Sequence, residues 1–130
     1  MAELVLIDSS YFIRLAREYR QSFAALDQFS SRYDFAINGV VWVEVIRGRS
    51  DPFVRKHYEE RFATLRFLNP TPSTWQRAAR LAWDLDRHGA VIPATDITIA
   101  ATALDYGAAV LTFDRHFNQV PGLTVFNDLP

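Results

Sequence analysis

Four carboxylates stand where their neighbours give little reason for charge. Asp8 follows the apolar run Leu4-Val5-Leu6-Ile7. Glu44 interrupts the run Val40-Val41-Trp42-Val43-Glu44-Val45-Ile46. Asp96 heads a stretch that is apolar nearly all round as far as Tyr106, and Asp114 lies just beyond Ala109-Val110-Leu111-Thr112. Each has an ordinary use by itself. Asp8 suits the N-cap of a following helix, Asp96 suits the positive end of a helix dipole, and Asp114 suits a strand-to-loop turn. Glu44 is accounted for if it points outward from an exposed face, although Glu is almost never buried without a partner. Together they permit another reading. Carboxylates that converge repel one another and raise each other's pKa values. A divalent cation relieves that repulsion, and hard oxygen donors suit Mg²⁺ or Mn²⁺ rather than zinc, which prefers His and Cys.

Other chemistries find less support. There is no Cys, which excludes disulfide scaffolds, thiol catalysis and Cys-based zinc sites. His57, His88 and His116 lack metal-ligand spacing. The first two read as solvated helix positions, and His116 reads as a packing or hydrogen-bonding residue, with a phosphate contact left open. No Gly-rich phosphate loop occurs, and no Ser has a matching His. Thr112 fits a β-branched strand position as well as it fits a residue orienting a water or a carboxylate.

The elements that must position these groups alternate. Residues 4–7 form a short continuous apolar run, the pattern of a strand buried on both faces in a parallel sheet. Asp8-Ser9-Ser10 caps a helix beginning near Tyr11, with Phe12, Leu15, Ala16 and Tyr19 on one face and Arg14 and Arg17 elsewhere. A second helix is expected over residues 22–31 and a second strand over 35–37, stopped by Asn38-Gly39. Residues 40–46 are ambiguous: Val and Ile favour a strand, while a helix from Asn38 is also possible. Asp51-Pro52 opens a helix to about residue 63. A strand is expected at 65–68. A long helix runs from Pro72 to about Arg87 and stops at Gly89. A buried helix begins at residues 94–96 and ends at Gly107. Strands at 109–112 and 123–126 complete the chain. This alternation predicts an α/β domain of three layers (helix, sheet, helix) with a mainly parallel sheet of four to five strands. In such sheets, ligand sites form beyond the carboxyl ends of the strands, where Asp8 and Asp114 fall.

Composition agrees. The chain has 130 residues, 49% hydrophobic and 14% aromatic, enough for one cored domain over 1–130 and too apolar for disorder. The net charge is −1, so any footprint for a polyanion must be local. All but one of the 14 basic residues are Arg, Lys56 being the exception; a compositional bias toward Arg and a use as phosphate forks both fit. The N-terminus lacks the basic segment and apolar stretch of a signal peptide, and no apolar run reaches the roughly 18 residues of a membrane span. A soluble, cytoplasmic protein is expected.

Four segments resemble the PIN-domain family: Leu4-Val5-Leu6-Ile7-Asp8-Ser9-Ser10, Val41-Trp42-Val43-Glu44-Val45-Ile46-Arg47-Gly48, Pro93-Ala94-Thr95-Asp96-Ile97-Thr98-Ile99-Ala100-Ala101, and Leu111-Thr112-Phe113-Asp114-Arg115-His116-Phe117. They occur in the family's order and at suitable spacing over essentially the whole chain, and the short length is like that of its VapC toxins. The resemblance implies a helix over 39–48 in place of the strand that propensity favours. It implies a Mg²⁺- or Mn²⁺-dependent endoribonuclease with Asp8 and Asp96 as direct metal ligands, completed by Glu44 and Asp114 and supported by Thr112. It implies a VapB-like antitoxin partner, a homodimer, and an RNA substrate cut in a single-stranded loop. Tyr11, Phe12, Tyr19 and Trp42 are candidates for either the core or the antitoxin groove. Arg14, Arg17 and Arg115 lie close in sequence to the acids and are candidates for steering phosphates, although Arg14 and Arg17 equally suit a solvated helix face. Many relatives carry a further acid where this chain has His116, which weakens a five-acid site and leaves the four-acid one intact. A PIN nuclease of RNA processing without a toxin role stays open, as does a non-catalytic module binding RNA or partners. A phosphatase-like domain using Asp8 as nucleophile is disfavoured by the lack of a second Asp two residues on.

Overall fold

The computed structural model of the protein describes residues 2–130. Its sheet has five strands, all parallel, in the order β3-β2-β1-β4-β5. Strand β1 (Glu3–Ile7) is central, flanked by β2 (Tyr33–Ile37) and β4 (Ala109–Leu111). Val5, Leu6 and Ile7 are wholly buried, as are Val110 and Leu111. Their continuous apolar character is what a strand covered on both faces requires. The outer strands β3 (Arg66–Phe67) and β5 (Val125–Phe126) are only two residues long. Short edges limit unwanted pairing with other chains.

Six α-helices among the described residues flank the sheet. The connections through α1 (Ser9–Arg17), α2 (Ser22–Gln28), α3 (Gly39–Arg47) and α4 (Pro52–Phe62) step outward from β1 through β2 to β3. The return to β4 through α5 (Pro72–Arg87) and α6 (Ala94–Tyr106) runs the other way. Right-handed crossovers then put the two groups of helices on opposite faces, giving the three layers expected. Helix α6 is the buried one: Ile97, Thr98, Ile99, Ala100, Ala101, Thr102 and Ala103 are all buried. Gly107 ends it at φ 66, a left-handed position that glycine adopts without strain. On the other face, Phe12, Phe23, Tyr58 and Phe62 meet edge to face or tilted, with ring centroids 5.1 to 6.4 Å apart.

Residues 40–46 are helical, against their β propensity. The cause lies just upstream: Asn38 is fully buried and its side-chain oxygen accepts from the Val41 backbone N–H at 3.1 Å. That N-cap satisfies an otherwise orphaned donor at the helix start. Val41 and Val45 then face the core. Two expectations need correction. Tyr19 does not share the buried face of α1, because the helix stops at Arg17 and Tyr19 takes φ 56 in the reversal that follows; its side chain is 96% exposed. The second helix ends at Gln28, short of residue 31, where Phe29 caps it and turn bonds take over. A short 3-10 helix, Arg115–Gln119, has no counterpart among the expected elements. Among the described residues no helix is long and apolar enough to cross a membrane.

Candidate metal centre

Strands β1 and β4 are neighbours whose onward connections leave in opposite directions along the sheet. Such a switch point opens a crevice beyond the carboxyl ends of the two strands. Asp8 follows β1 directly, and its N–H donates to the Leu111 carbonyl at 2.9 Å, so the ladder itself fixes its backbone. Thr112 follows β4 and is held by a 2.9 Å bond from its N–H to the Phe126 carbonyl.

Asp8 is 2% exposed. It is the N-cap of α1, its Oδ2 accepting from the Ser10 N–H at 3.3 Å. The same oxygen accepts from the Thr112 hydroxyl at 2.8 Å. Capping and site geometry are therefore one arrangement rather than rival readings. Thr112 has a single hydroxyl proton, and it goes to the carboxylate. Its oxygen must then accept the other two contacts, from the Asp114 N–H at 2.9 Å and the Ser10 hydroxyl at 3.0 Å. Ser10 Oγ in turn accepts from the Phe113 N–H at 3.1 Å. The chain of donors converges on one oxygen of Asp8. The other, Oδ1, is buried with no hydrogen-bond partner. An orphan carboxylate oxygen costs free energy unless a hydrogen-bond donor or a cation meets it. Burial accordingly pushes the Asp8 carboxyl above its ordinary value, against the pull of its hydrogen bonds to Ser10 and Thr112.

The other three acids come in from separate elements. Glu44, half-buried on α3, accepts from the Ser9 hydroxyl at 2.9 Å. Asp96 lies in the first turn of α6 with its side chain 14% exposed. Asp114 caps the 3-10 helix through a 2.9 Å bond from the His116 N–H to its Oδ1. Asp8, Glu44, Asp96 and Asp114 all line one open depression. The Asp96 carboxyl is pushed up to about 7, first by burial and then by the charges of Asp8, Asp114 and Glu44. The dipole of α6 favours an anion at that position, so desolvation and like charge together outweigh it. His116 also reaches this corner. Its Nδ1 lies 3.1 Å from Asp114 Oδ1 and 4.0 Å from Asp96 Oδ2. One ligand atom from each of Asp96, Asp114 and His116 falls within 4.8 Å of the others.

These residues fit a divalent cation. They supply hard oxygen donors, an orphaned carboxylate oxygen and an accumulated negative charge that no Lys or Arg pairs off among the described residues. Each feature is a cost to the protein alone and an advantage to a bound cation. Arg14, Arg17 and Arg115 line the same depression, so the basic face of α1 and the site are not separate surfaces. Ser9, Ser10 and Phe113 also line it. Their types give no sign of this, because Ser is common in any helix-capping turn. Tyr11 and Phe12 are core residues, and Trp42 is partly buried against Phe62 and Phe67.

Among known proteins, the profile of the PIN domain matches residues 5–123. The fold resembles that in the VapBC2 complex of Rickettsia felis bound to a promoter DNA fragment, with TM-score 0.80 at 16% identity over 95% of this chain and 97% of that one. It resembles DNA-bound VapBC from Salmonella typhimurium, with TM-score 0.78 at 22% identity over 97% and 98%. It also resembles Mycobacterium tuberculosis VapC20, described as a sarcin-ricin loop cleaving toxin, with TM-score 0.69 at 16% identity over 97% and 99%. No curated protein sequence matches the chain significantly.

Proposed function

The chain belongs to the PIN-domain family, and on that premise we propose that it is a divalent-metal-dependent endoribonuclease, the toxin of a type II toxin–antitoxin pair. The observation that carries the nuclease reading is the convergence of Asp8, Glu44, Asp96 and Asp114 on one depression at the switch point of the sheet. Asp8 and Asp96 would hold Mg²⁺ or Mn²⁺ directly, and Glu44 and Asp114 would complete the site, directly or through waters. When bound, such a cation lowers the pKa of a water and neutralises charge on a phosphate. The chain's own residues do the rest. Thr112 and Ser10 hold Asp8 in one rotamer by fixing Oδ2, leaving Oδ1 free for the cation. Ser9 holds Glu44. Asp96 would hold the cation as the carboxylate. Arg17 and Arg115 draw the RNA backbone toward an otherwise anionic cleft.

The toxin role rests on the VapBC complexes among the structural neighbours, which match nearly the full chain. It brings with it a VapB-like antitoxin, a homodimer and a cytoplasmic setting, with residues 1–130 acting as one nuclease domain. RNA as substrate is supported by the cleaving activity ascribed to one neighbour.

The test is incubation of total cellular RNA with purified, antitoxin-free protein in Mg²⁺, Mn²⁺ or EDTA, beside the Asp8→Ala and Glu44→Ala variants. Discrete fragments carrying 5′-phosphates that require metal and disappear in both variants are expected. A folded protein that cleaves nothing with metal, or cleaves equally in EDTA, contradicts the proposal.

A further inference from the structure

One wall of the site is not needed for metal or phosphate. Ile13 and Phe113 line the depression beside Asp8, Glu44 and Asp114, with Arg14 next to them, and a phosphate gains nothing from the two apolar side chains. The Arg14 guanidinium carbon lies over the Phe113 ring, 4.4 Å from its centroid. Phe113 is itself stacked on the buried ring of Tyr11, with centroids 5.4 Å apart and planes 13° apart. The result is a layered stack rising from the core to the surface: Tyr11, Phe113, Arg14. Each layer is held from the side. The Phe113 N–H donates to Ser10 Oγ at 3.1 Å, tying the ring to the network that orients Asp8. Arg14 Nε donates to Glu18 at 3.4 Å, and the Arg14 side chain remains 54% exposed.

We infer that Arg14 and Phe113 form a stacking platform for one unpaired nucleobase of a single-stranded RNA, placed beside the carboxylates that act on its backbone. This rests on the nuclease reading above and specifies how its substrate is held. Bases unstacked from a strand pack on aromatic rings and guanidinium planes. Arg14 suits that role better than a phosphate hook because its charge is partly offset and its guanidinium already lies over a ring. It shares Glu18 with Arg20, whereas Arg17 and Arg115 have no ion pair among the described residues. A layer that is already ordered loses little entropy when a base covers it. A base inside a duplex is stacked on its neighbours and cannot be offered to the platform without being extruded, so single-stranded segments are selected.

The experiment measures binding of a fluorescein-labelled oligoadenylate of about 12 nucleotides, a length typical of single-strand sites, to the Asp96→Asn protein in Mg²⁺, which leaves the strand intact. A strand of the same length with abasic ribose throughout is the control. Arg14→Lys, Arg14→Gln and Phe113→Leu are made in that background, with circular dichroism to confirm folding. Lys keeps the charge and loses the plane; Leu keeps the packing volume and loses the ring. Arg14→Lys and Phe113→Leu are each expected to weaken oligoadenylate on the order of tenfold and to leave the abasic strand unchanged. Arg14→Lys binding like its parent, or the abasic strand binding as tightly as oligoadenylate, overturns the platform and leaves the nuclease reading standing. If the parent protein binds no strand at all, the platform and the RNA substrate fall together.

Discussion

Replacing Asp96 by Asn should make the metal-free protein more stable while removing a proposed metal ligand. In the folded chain the Asp96 carboxyl titrates at about 7 against 3.8 for an unperturbed group, raised by burial and then by Asp8, Asp114 and Glu44. Between those values the folded state holds a proton that the unfolded state releases. The stability of the metal-free protein therefore falls as pH rises through that window and reaches its floor above about 7. About three pH units at ~1.4 kcal/mol each set a ceiling of about 4 kcal/mol. The site is open to water, and screening by that solvent reduces the penalty to about 2 kcal/mol. Asn has the same shape, carries no charge, and can donate toward Asp114 as the protonated acid does. At pH 5 the two proteins should melt within about 2 °C of each other, because Asp96 is already neutral there. At pH 8 in EDTA the variant should melt about 7 °C higher, given unfolding entropies of ~2.1 cal/mol/K per residue. Calorimetry in EDTA at pH 5, 6, 7 and 8 reads the difference directly, and saturating Mg²⁺ should close the gap by stabilising only the parent. A gap that does not grow between pH 5 and pH 8, or a variant less stable at pH 8, would show that Asp96 is not strained by its neighbours.

Three other perturbations follow from the same geometry. Thr112→Val removes the hydroxyl that donates to Asp8 Oδ2; denaturant titration should show a loss of about 1.5–3 kcal/mol and calorimetric titration a roughly 10- to 100-fold weaker affinity for Mn²⁺, with Thr112→Ser restoring most of both. Asn38→Ala deletes the cap that starts α3 and should cost about 1–2 kcal/mol in urea unfolding, with cleavage falling because Glu44 rides on that helix. Phe62→Ala opens a hole among Phe12, Phe23, Trp42 and Tyr58 and should cost about 3–5 kcal/mol while leaving cleavage by the folded fraction intact.

The parts of the fold that are written locally are legible in the sequence. Continuous apolar runs mark the buried strands, and Asp51-Pro52, Gly89 and Gly107 mark helix ends. Placement after strands puts Asp8 and Asp114 at the sheet's carboxyl edge. Glu44 is visible as an anomaly, but pattern alone does not fix its element, because Val and Ile favour strands; the family resemblance implies the helix over 39–48, and the Asn38 cap and the packing of Val41 and Val45 produce it as Gly39–Arg47. Contacts between distant segments are not legible. Thr112 meets Asp8 from the end of the neighbouring strand, 104 residues away in the chain, and His116 meets Asp96 through a turn and a helix start, so neither pairing leaves a spacing to read. The 3-10 helix is too short to show a period, and the helical periodicity that would bury Tyr19 runs past the point where α1 ends.

The proposed metal binding and cleavage both require that the four carboxylates form one cation site. Anomalous scattering from crystals soaked in Mn²⁺ locates such a site without reference to activity. A manganese peak is expected within bonding distance of Asp8 Oδ1 and of Asp96, with Glu44 and Asp114 beside it. A well-ordered crystal with no manganese among the four, or with manganese bound only elsewhere on the surface, would contradict it.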